Sequence, residues 1–535
     1  MSKSLIAEAA GEINLTDKLS EDLASLYCSD KYSDVVFLVE DENKRTERIP
    51  CHKIILAARS EYFRALLYGG LSETNKKEIT LKVPLKAFKN IILKYVNNVC
   101  NILDAAVLYD IDGLSLTCYA FIDKHAELLL QHDSFKFLNK NSLIILLSRD
   151  SFYVQEISIF KAVKGWIESN QDLRPDDIAE VVSQIRLPLI DLEDLLVTVR
   201  PAFVPEILDA NSLLDAIHIK TQVKQLPGQE IKRLPYRGKL VFEENVAKST
   251  LGAKVINGIQ DGLSLLESSN HPYDIEKGFT RHAITSKNDC GITVELNSVF
   301  IINSLKILLW DLDNRHYSYT IDVSVENEFW ERVIDYSSYH CRSWQYLYFE
   351  KRPVRFIKIT GTNNSANRIF HLVSVEAMYT QNVPKLVDGL IVPKHNVATV
   401  EKSAVVLEGV SRIKNSLLNG NIKDYDWDCG YTCHQLGSGN VSLQLGQPYV
   451  IRSLRILLWD CDERTYSFYI ESSLNNTDWE MLVDKRNEQL QSWQSFSFAP
   501  RAISYVRIVG TFNSANEIFH IVHFECPKMT PDSEK

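Results

Sequence analysis

The sequence has no long apolar run and no excess of positive charge. No stretch approaches the roughly 18 apolar residues of a membrane-spanning helix. Acids such as Glu8 and Glu12 interrupt the region where a secretory signal has its apolar core. The net charge is −10, whereas nucleic-acid binding needs a basic face. We therefore expect a cytoplasmic protein with no membrane span and no nucleic-acid partner.

Catalytic motifs are missing as well. The sequence contains no GxSxG, no phosphate-binding loop, no HExxH and no GxGxxG after a strand. Cys429 and Cys433 have a spacing that suits a pair of metal ligands, but no second pair completes a zinc site. These absences predict a protein that is not an enzyme and holds no metal or cofactor.

More than half of the chain is a tandem repeat. Residues 305–324 recur at 454–473 with 12 identities in 20 positions, and residues 361–376 recur at 510–525 with 11 in 16. A period of 149 residues corresponds to a whole domain rather than to a solenoid repeat. Three pairs of tryptophans keep that displacement, and we interpret them as core residues: Trp310 and Trp459, Trp330 and Trp479, Trp344 and Trp493.

The cysteines do not follow the repeat. Cys341 aligns with Leu490, and Cys461 aligns with Leu312. A disulfide framework would have been duplicated together with the fold. The cysteines are therefore predicted to be reduced thiols, as in intracellular proteins.

Residue patterns predict an N-terminal α+β region followed by helices. Residues 32–40 suggest a strand, 41–48 a turn and 49–70 a helix that stops at Gly69-Gly70, and a strand and a helix follow from Glu78. The helix is expected to carry its apolar stripe on Ile55, Ala58, Tyr62, Ala65 and Leu66. From about residue 98 to 219 the signals are helical. Ser134 and Asn141-Ser142 are the expected helix starts, and Ile159, Val163, Trp166 and Ile167 form an apolar stripe.

The repeats are predicted to be all-β. Strand-like runs separated by turn clusters favour a sandwich or jelly roll. In one such run the apolar residues alternate with polar ones, which predicts a strand with a single inward face: Tyr317, Tyr319, Ile321, Val323 and Val325.

These segments resemble three known families. SDVVFLVE from Ser33 and CHKIILAARSEYFRALLYGGLSE from Cys51 resemble a BTB/POZ domain. FIDKHAELLL, IFKAVKGWIES and IRLPLIDLEDLL resemble the BACK domain that follows it in cullin adaptors, and the repeats resemble discoidin domains. The implied fold class is multidomain, with an α+β BTB/POZ region, an all-α BACK region and two all-β discoidin-like jelly-roll sandwiches.

The resemblance also implies domain boundaries. They are a BTB/POZ domain at 30–97, a BACK domain at 98–220, a linker at 221–239 and discoidin-like domains at 240–380 and 391–526. A BTB domain normally continues with further helices where NNVCNILDAAVLYDI follows at once in this chain. We therefore expect the BTB/POZ region to be truncated by roughly forty residues relative to the family, which would expose apolar surface.

Two sets of residues in the BTB/POZ region match family motifs. Asp34 and His52 are interpreted as a core hydrogen bond between a strand and the next helix, the alternative being a catalytic pair. Cullin-binding relatives carry an apolar-x-Glu triplet after the following helix. This resemblance assigns cullin-3 contacts to Leu71 and Glu73, with Tyr62 and Phe63 beside them; an ordinary helix-end leucine is the alternative.

Polar residues of the repeats are first interpreted as structural. Asp311, Asp313 and Arg315 recur as Asp460, Asp462 and Arg464. Two carboxylates are few for a calcium site, and the adjacent arginine favours an internal ion pair. His371 and His520 lie in apolar strands and are expected to be satisfied core histidines.

The candidate client site is the loop from Asn419, because discoidin-type sandwiches usually bind ligands through loops at one end. It offers Asp424, Asp426, Trp427 and Tyr431. Its counterpart in the first repeat keeps Tyr273 and Asp274 but has Ile275 in place of the tryptophan. The two repeats are therefore predicted to bind differently. The alternative is that Trp427 plugs the end of the sandwich.

The leading hypothesis is a non-enzymatic adaptor. Its BTB-BACK region would engage cullin-3 or a second BTB chain, and its discoidin tandem would select a protein client for ubiquitination. The alternatives are a cytoplasmic scaffold without a ligase role and an intracellular glycan- or lipid-binding protein. The resemblance also implies roles in synaptic regulation and locomotory behaviour. The client and the oligomeric state are not encoded in any motif we recognise.

Overall fold

The computed structural model divides the chain into two compact units, Met1–Pro235 and Tyr236–Lys535. Within the ranges described, no helix is long and apolar enough to cross a membrane. The structure describes residues 33–40, 46–53, 56–57, 61–69, 76–81, 96–203, 210–222, 234–261, 265–267, 272–285 and 291–528.

The described residues of the N-terminal unit include a small mixed sheet. Strand β1 (Val35–Glu40) lies between β2 (Thr46–Cys51), which is antiparallel to it, and β3 (Glu78–Leu81), which is parallel. Helix α1 (Glu61–Tyr68) packs on the sheet. The predicted strands β1 and β3 are present, but the predicted turn over residues 41–48 ends early because β2 already begins at Thr46.

The apolar stripe of α1 differs from the prediction. Phe63 and Leu67, one helical turn apart, face the core, and the Phe63 ring lies 5.7 Å from the ring of Phe37. Ala65 is exposed. Ile55 and Ala58 lie outside the described residues, as does the helix predicted after β3. Of the predicted stripe, Leu66 packs against this core and Ala65 does not, so the prediction is confirmed at Leu66 and wrong at Ala65.

From Val96 onward the described residues of this unit are mainly helical, as predicted. Asn139 caps its helix through a 3.0 Å bond from the Asn141 amide, so the start lies ahead of the predicted Asn141-Ser142. Ile159, Val163 and Trp166 are buried as predicted, and the Trp166 indole donates to the Leu138 carbonyl at 2.8 Å. Ser134 lies inside a 3₁₀ turn that His132 caps. The α-helices are α2 (Val96–Leu108), α3 (Asp112–Lys124), α4 (Ala126–Gln131), α5 (Lys140–Ser148), α6 (Glu156–Ser169), α7 (Pro175–Val182), α8 (Leu192–Asp194), α9 (Arg200–Phe203) and α10 (Ala210–Gln222).

The C-terminal unit contains two all-β modules. The first β module comprises β4 (Lys254–Asn257), β5 (Ile259–Asp261), β6 (Phe279–Ala283), β7 (Ile292–Leu309), β8 (Tyr317–Ser324), β9 (Glu331–Cys341), β10 (Trp344–Asn364) and β11 (Ile369–Met378). The second β module comprises β12 (Leu386–Val387), β13 (Leu390–Ile391), β14 (Val405–Glu408), β15 (Thr432–Gln435), β16 (Val441–Leu458), β17 (Tyr466–Ser473), β18 (Glu480–Leu490), β19 (Trp493–Asn513) and β20 (Ile518–Glu525).

The two modules repeat one set of strand pairings. The long antiparallel pair β7 and β10 of the first corresponds to β16 and β19 of the second. Strands β8 and β9 extend the first sheet as β17 and β18 extend the second. Each module encloses its own apolar core. The sequence repeat is thus a repeat of architecture.

Strand β8 corrects the prediction of a single inward face. All eight of its residues are buried, so its polar face is covered as well as its apolar face. On that face Ser318 donates to the Tyr339 carbonyl at 2.7 Å, and Asp322 accepts from Arg332 at 2.9 Å. The alternation of apolar and polar residues in β8 therefore separates an apolar face from a polar face, and both faces are buried.

The repeated tryptophans are only partly core residues. Trp310 and Trp459 are buried as predicted. The other four are half-buried, and each ring is covered by a cation on a neighbouring strand or turn. These pairs are Trp330 with Lys358, Trp344 with Lys306, Trp479 with Arg507 and Trp493 with Arg455.

Buried polar contacts join the two β modules. The Gln345 side chain donates to the Gly446 carbonyl at 2.8 Å. Gln447 accepts from the Tyr346 amide at 2.7 Å and donates to the Tyr346 carbonyl at 3.0 Å. Both glutamines are fully buried, and Val450 of the second module packs into the core of the first. Reciprocal, fully satisfied contacts of this kind fix the modules against each other.

Candidate functional site

The predicted cullin contacts lie mostly outside the described residues. Leu71 and Glu73 fall there entirely, and Tyr62 lies in α1 with its side chain not described. Phe63 is buried between α1 and the sheet, so its side chain is not exposed to a partner. The sequence-based assignment of this site stays a prediction.

Asp34 connects β1 to the start of the following helix. Its carboxylate accepts a 2.6 Å hydrogen bond from the Lys53 amide, and its own amide donates to the Cys51 carbonyl at 3.2 Å. His52 beside it is buried. The acceptor role of Asp34 toward the backbone is structural, since a carboxylate at this position satisfies an amide at a helix start.

In the second β module, two hydrogen bonds tie the candidate client loop to the sandwich, and two more are made within the loop. The Tyr425 hydroxyl donates to Asp460 at 2.6 Å, and the Trp459 indole donates to the Asp426 carbonyl at 2.8 Å. The Asp426 carboxylate accepts from the amides of Asp428 at 2.7 Å and Cys429 at 2.8 Å. These backbone bonds lower the pKa of Asp426, and burial together with the Asp460 contact raises that of Tyr425.

Arg464 completes this arrangement. Its guanidinium forms a bidentate pair with Asp462, at 2.7 Å for each bond, and lies 4.2 Å from the centre of the Trp459 ring. The ion pair holds the pKa of Asp462 below its usual range. Arg464 therefore pairs with Asp462, while Asp460 accepts the hydrogen bond from the Tyr425 hydroxyl. We call these five residues the loop frame: Tyr425, Asp426, Trp459, Asp460 and Arg464.

The loop frame presents Trp427 to solvent. The Trp427 side chain is 61% exposed, although its ring touches that of Trp459 edge-to-face at 4.6 Å. The Tyr431 hydroxyl donates to the Trp427 carbonyl at 3.2 Å. Asp424 is exposed and contacts Asn421 at 3.3 Å. Exposure of this degree argues against the alternative in which Trp427 plugs the end of the sandwich.

Three further apolar residues at this end were missed from the sequence. Val410 is 71% exposed, and Ile413 and Ile422 are also exposed. Between Val410 and Ile413 lie Ser411 and Arg412, and both contact the Trp427 loop. The Ser411 hydroxyl donates to the Tyr431 carbonyl at 2.9 Å, and Arg412 forms a 3.3 Å ion pair with Asp428. Together with Trp427 they form what we call the apolar end surface: Val410, Ile413, Ile422 and Trp427. Clustered exposed apolar residues of this kind mark interaction sites.

The sequence contained only a weak signal for these residues. VSRIK from Val410 reads as a turn segment with isolated apolar residues, which are common on protein surfaces. Their significance depends on a bridge between Val410 and Cys433, which brings the segment beside the Trp427 loop. No local pattern encodes that pairing.

The first β module contains the same loop frame. The Tyr273 hydroxyl donates to Asp311 at 2.7 Å, and the Trp310 indole donates to the Asp274 carbonyl at 2.7 Å. The corresponding arginine pairs with its aspartate and covers its tryptophan: Arg315 bonds Asp313 at 2.6 Å and 2.8 Å and lies 4.1 Å from the Trp310 ring centre. The position of Trp427 is taken by Ile275, as the sequence alignment predicts.

The repeated aspartates and histidines are engaged within the protein. Among the described residues no group of three or more histidine, cysteine or acidic side chains is arranged to hold a metal ion. Asp313 and Asp462 are each engaged by an arginine. The histidines that we expected to be core residues are buried: His371 contacts the Tyr317 hydroxyl at 3.1 Å, and His520 contacts that of Tyr466 at 3.4 Å.

Buried histidines predict that the second β module loses stability in acid. Burial lowers the pKa of His520 and that of His523 to about 4, from a usual value of 6.5. As the pH falls from 6.5 towards 4, the unfolded chain takes up protons that the folded chain refuses, so the free energy of unfolding falls. Chemical denaturation at pH 7 and pH 4.5 should show a lower midpoint at pH 4.5. The decrease should be smaller in His523→Gln, and a midpoint that does not fall in acid would contradict the prediction.

Comparison with known proteins identifies three kinds of domain. A BTB/POZ domain model matches residues 23–126, the model BACK (BTB And C-terminal Kelch) matches 99–200, and an F5/8 type C domain model matches 403–524. The first two matches overlap from residue 99 to 126, so the predicted boundary at 97 stays a prediction. The F5/8 type C match falls on the second β module, which confirms a discoidin-like domain there.

Relatives match along nearly the whole chain. BTB/POZ domain-containing protein 9 of Drosophila melanogaster is 49% identical over 560 residues, covering 96% of this chain and 74% of the relative. The human protein of that name is 42% identical over 565 residues, covering 97% and 89%. Kelch-like protein 40b of Danio rerio is 24% identical over 377 residues, covering 58% and 60%. Among solved structures, the family 32 CBM from C. perfringens NanJ is 15% identical and covers 25% of this chain and 97% of its own, with a TM-score of 0.21. A likeness this weak carries no functional argument.

Proposed function

Because this chain belongs to the BTB/POZ domain-containing protein 9 family, we propose that it is a non-enzymatic, cytoplasmic substrate adaptor of a cullin-3 type ubiquitin ligase. The observation that carries the proposal is the combination of a BTB match and a BACK match with an exposed apolar end surface on a separate β unit. The BTB and BACK regions would engage a cullin or a second BTB chain. The apolar end surface would bind a client.

The client site is the end of the second β module. Trp427 is held outward by the loop frame, so little conformational freedom is lost when a partner covers it. Asp424, Asp426 and Tyr431 lie in the same loop, with Tyr431 and Asp426 bound internally and Asp424 open to a partner. Large aromatic residues at such positions commonly provide most of the binding energy.

The truncation of the BTB/POZ region is part of the proposal. The alignment with the Drosophila relative runs over 560 positions, more than the 535 residues of this chain, so it contains gaps on this chain's side. We place a gap of roughly forty residues after residue 95, where the sequence passes directly into NNVCNILDAAVLYDI. The first β module is likewise proposed to be a discoidin domain, since its strand pairings repeat those of the second.

Leu71→Ala combined with Glu73→Ala should weaken cullin-3 binding by about thirtyfold, because a buried apolar anchor commonly contributes about 2 kcal/mol. The measurement is titration of purified cullin-3 into the full chain. Leu251→Ala, an exposed leucine of the C-terminal unit, serves as the control and should bind like the original chain.

The same titration separates the alternatives. If this chain does not bind cullin-3 while a version carrying the relatives' additional helices does, this form is a non-productive variant of the adaptor. If neither version binds, the scaffold without a ligase role is correct. Binding of glycans or of lipid vesicles by the full chain, lost in Trp427→Ala, would favour the third class.

A further inference from the structure

We propose that the junction between the two β modules is an acid-sensitive switch, closed while His316 and His340 are neutral and loosened when they take up protons. The junction comprises residues 316, 340, 342, 345 and 346 of the first module and residues 403, 444, 446, 447 and 505 of the second. The switch acts on the contact between the modules, so it is independent of the proposed cullin and client contacts.

Two stacked histidine rings of the first module connect it to the second. The centroids of the His316 and His340 rings lie 3.7 Å apart, and the two ring planes differ by 20°. His340 Nδ1 lies 3.1 Å from the Tyr505 hydroxyl of the second module, and the two share a hydrogen bond. The buried Tyr505 ring also meets the His340 ring edge-to-face at 5.8 Å. Two neutral imidazoles can stack in this way, whereas two imidazolium ions at this distance would repel each other.

Burial keeps both rings neutral near neutral pH. It is the main reason why the pKa of His316 falls to about 4, with the neighbouring His340 as the second cause, and it also lowers the pKa of His340. In an opened junction both rings would face water and regain a pKa of about 6.5. As the pH falls from 6.5 towards 4, the open form takes up protons that the closed form refuses, so the closed form loses stability. Between about pH 7 and pH 5, His316 alone should shift the equilibrium roughly twentyfold towards the open form.

Protonated histidines would have no carboxylate partner in the junction. In the described part of the chain no carboxylate contacts either ring, because Asp311 accepts from Tyr273 at 2.7 Å and Asp313 pairs with Arg315 at 2.6 Å. Arg342, which is 8% exposed, already places one buried cation here. The ionisable groups on the elements packed at the junction, besides the two histidines, are Asp311, Asp313, Arg315, Tyr339, Cys341, Arg342, Asp388, Lys402, Tyr449 and Tyr505.

The second module has side chains that do not titrate at the corresponding positions. His316 and His340 correspond to Thr465 and Gln489, each 149 residues later in the sequence. The Thr465 hydroxyl donates to Gln489 Oε1 at 3.4 Å, and Gln489 is exposed. The fold therefore accepts a neutral pair at these positions. The histidine pair occurs in the module whose face is covered by its neighbour.

Hydrogen exchange of the full chain measures opening of the junction. The Arg342 amide donates to the Gly446 carbonyl at 2.9 Å, and the Tyr346 amide donates to the Gln447 side chain at 2.7 Å, so both amides report on the contact. Peptides that cover these amides are analysed by mass spectrometry at pH 7 and pH 5, with exchange rates corrected for their intrinsic pH dependence. We expect the protection of both amides to fall about tenfold or more, while peptides from β8 stay protected.

His316→Thr combined with His340→Gln, which introduces the residues that the second module has at these positions, should abolish this fall. Each single replacement should reduce it, so the test does not depend on folding of the double variant. His395→Gln removes an exposed histidine of the second module and is the matched control, which should behave like the original chain. Equal protection at pH 7 and pH 5 in the original chain would overturn the proposal, as would a fall of the same size in the original chain and both single variants. A simultaneous loss of protection in β8 would also overturn it, because the first module would then be unfolding as a whole.

Discussion

Gly510→Ala should destabilise the second β module by about 3 kcal/mol or more. A β-carbon at this position would lie 2.2 Å from the Phe519 ring, and the ring is fully buried with no room to move. Forced overpacking of a dense core typically costs about 1–3 kcal/mol, and this overlap is severe. The Gly510 amide also donates to His434 at 2.9 Å, so displacement of the strand would break a buried hydrogen bond.

The first β module provides an internal repetition of this experiment. At Gly361 the β-carbon would lie 2.3 Å from the Phe370 ring, and the Gly361 amide donates to His282 at 2.9 Å. Gly361→Ala should therefore cause a similar loss. Gly165→Ala is the control, because outside the backbone of its own helix α6 no atom lies within 4 Å of the new carbon. Thermal unfolding of the full chain measures all three, and a Gly510→Ala protein as stable as the control would refute the packing argument.

Packing around Gly361 and Gly510 explains why the repeat can be detected in the sequence. Each of the segments beginning at Gly361 and Gly510 keeps a glycine packed against a buried phenylalanine of the same segment, and the glycine amide donates to a histidine of another strand, His282 or His434. Such a constraint acts on residue identity, so the duplication predicts a common architecture. Part of the loop frame is detectable in the same way, because tryptophan, aspartate and arginine recur at one spacing, as Trp310, Asp311 and Arg315 and as Trp459, Asp460 and Arg464.

Features that depend on pairing between distant segments were not predictable. Arg464 bonds Asp462, while Asp460 accepts a hydrogen bond from the Tyr425 hydroxyl, which lies in a distant segment of the sequence. The position of Val410 beside the Trp427 loop depends on its bridge to Cys433, and the polar face of β8 is covered by contacts such as those of Ser318 with Tyr339 and of Asp322 with Arg332. The alternating pattern of β8 correctly indicated a strand but not its surroundings.

Replacing Trp427 by alanine should reduce client capture at least tenfold while the melting temperature changes by no more than a few degrees. The expectation of a large binding effect follows from the size of the indole and its outward position, since anchors of this kind dominate interface energies. The expectation of a small stability effect follows from its 61% exposure: the buried ring of the pair is Trp459, and its bond to the Asp426 carbonyl persists in the variant.

The measurement compares proteins captured by the full chain and by its variants, with quantities determined by mass spectrometry and unfolding followed in parallel. Asp424→Ala should add to the loss, because Asp424 is exposed beside Trp427, and its neighbour Asn421 can turn to solvent without cost to the core. Trp459→Ala is the contrasting variant. It removes a buried side chain, which typically costs about 3–5 kcal/mol of folding stability. It should therefore lower both the melting temperature and client capture. If Trp427→Ala instead lowers stability as Trp459→Ala does, the loop is packing for the sandwich and the client site lies elsewhere. If it leaves both stability and capture unchanged, the apolar end surface is not the site of client binding.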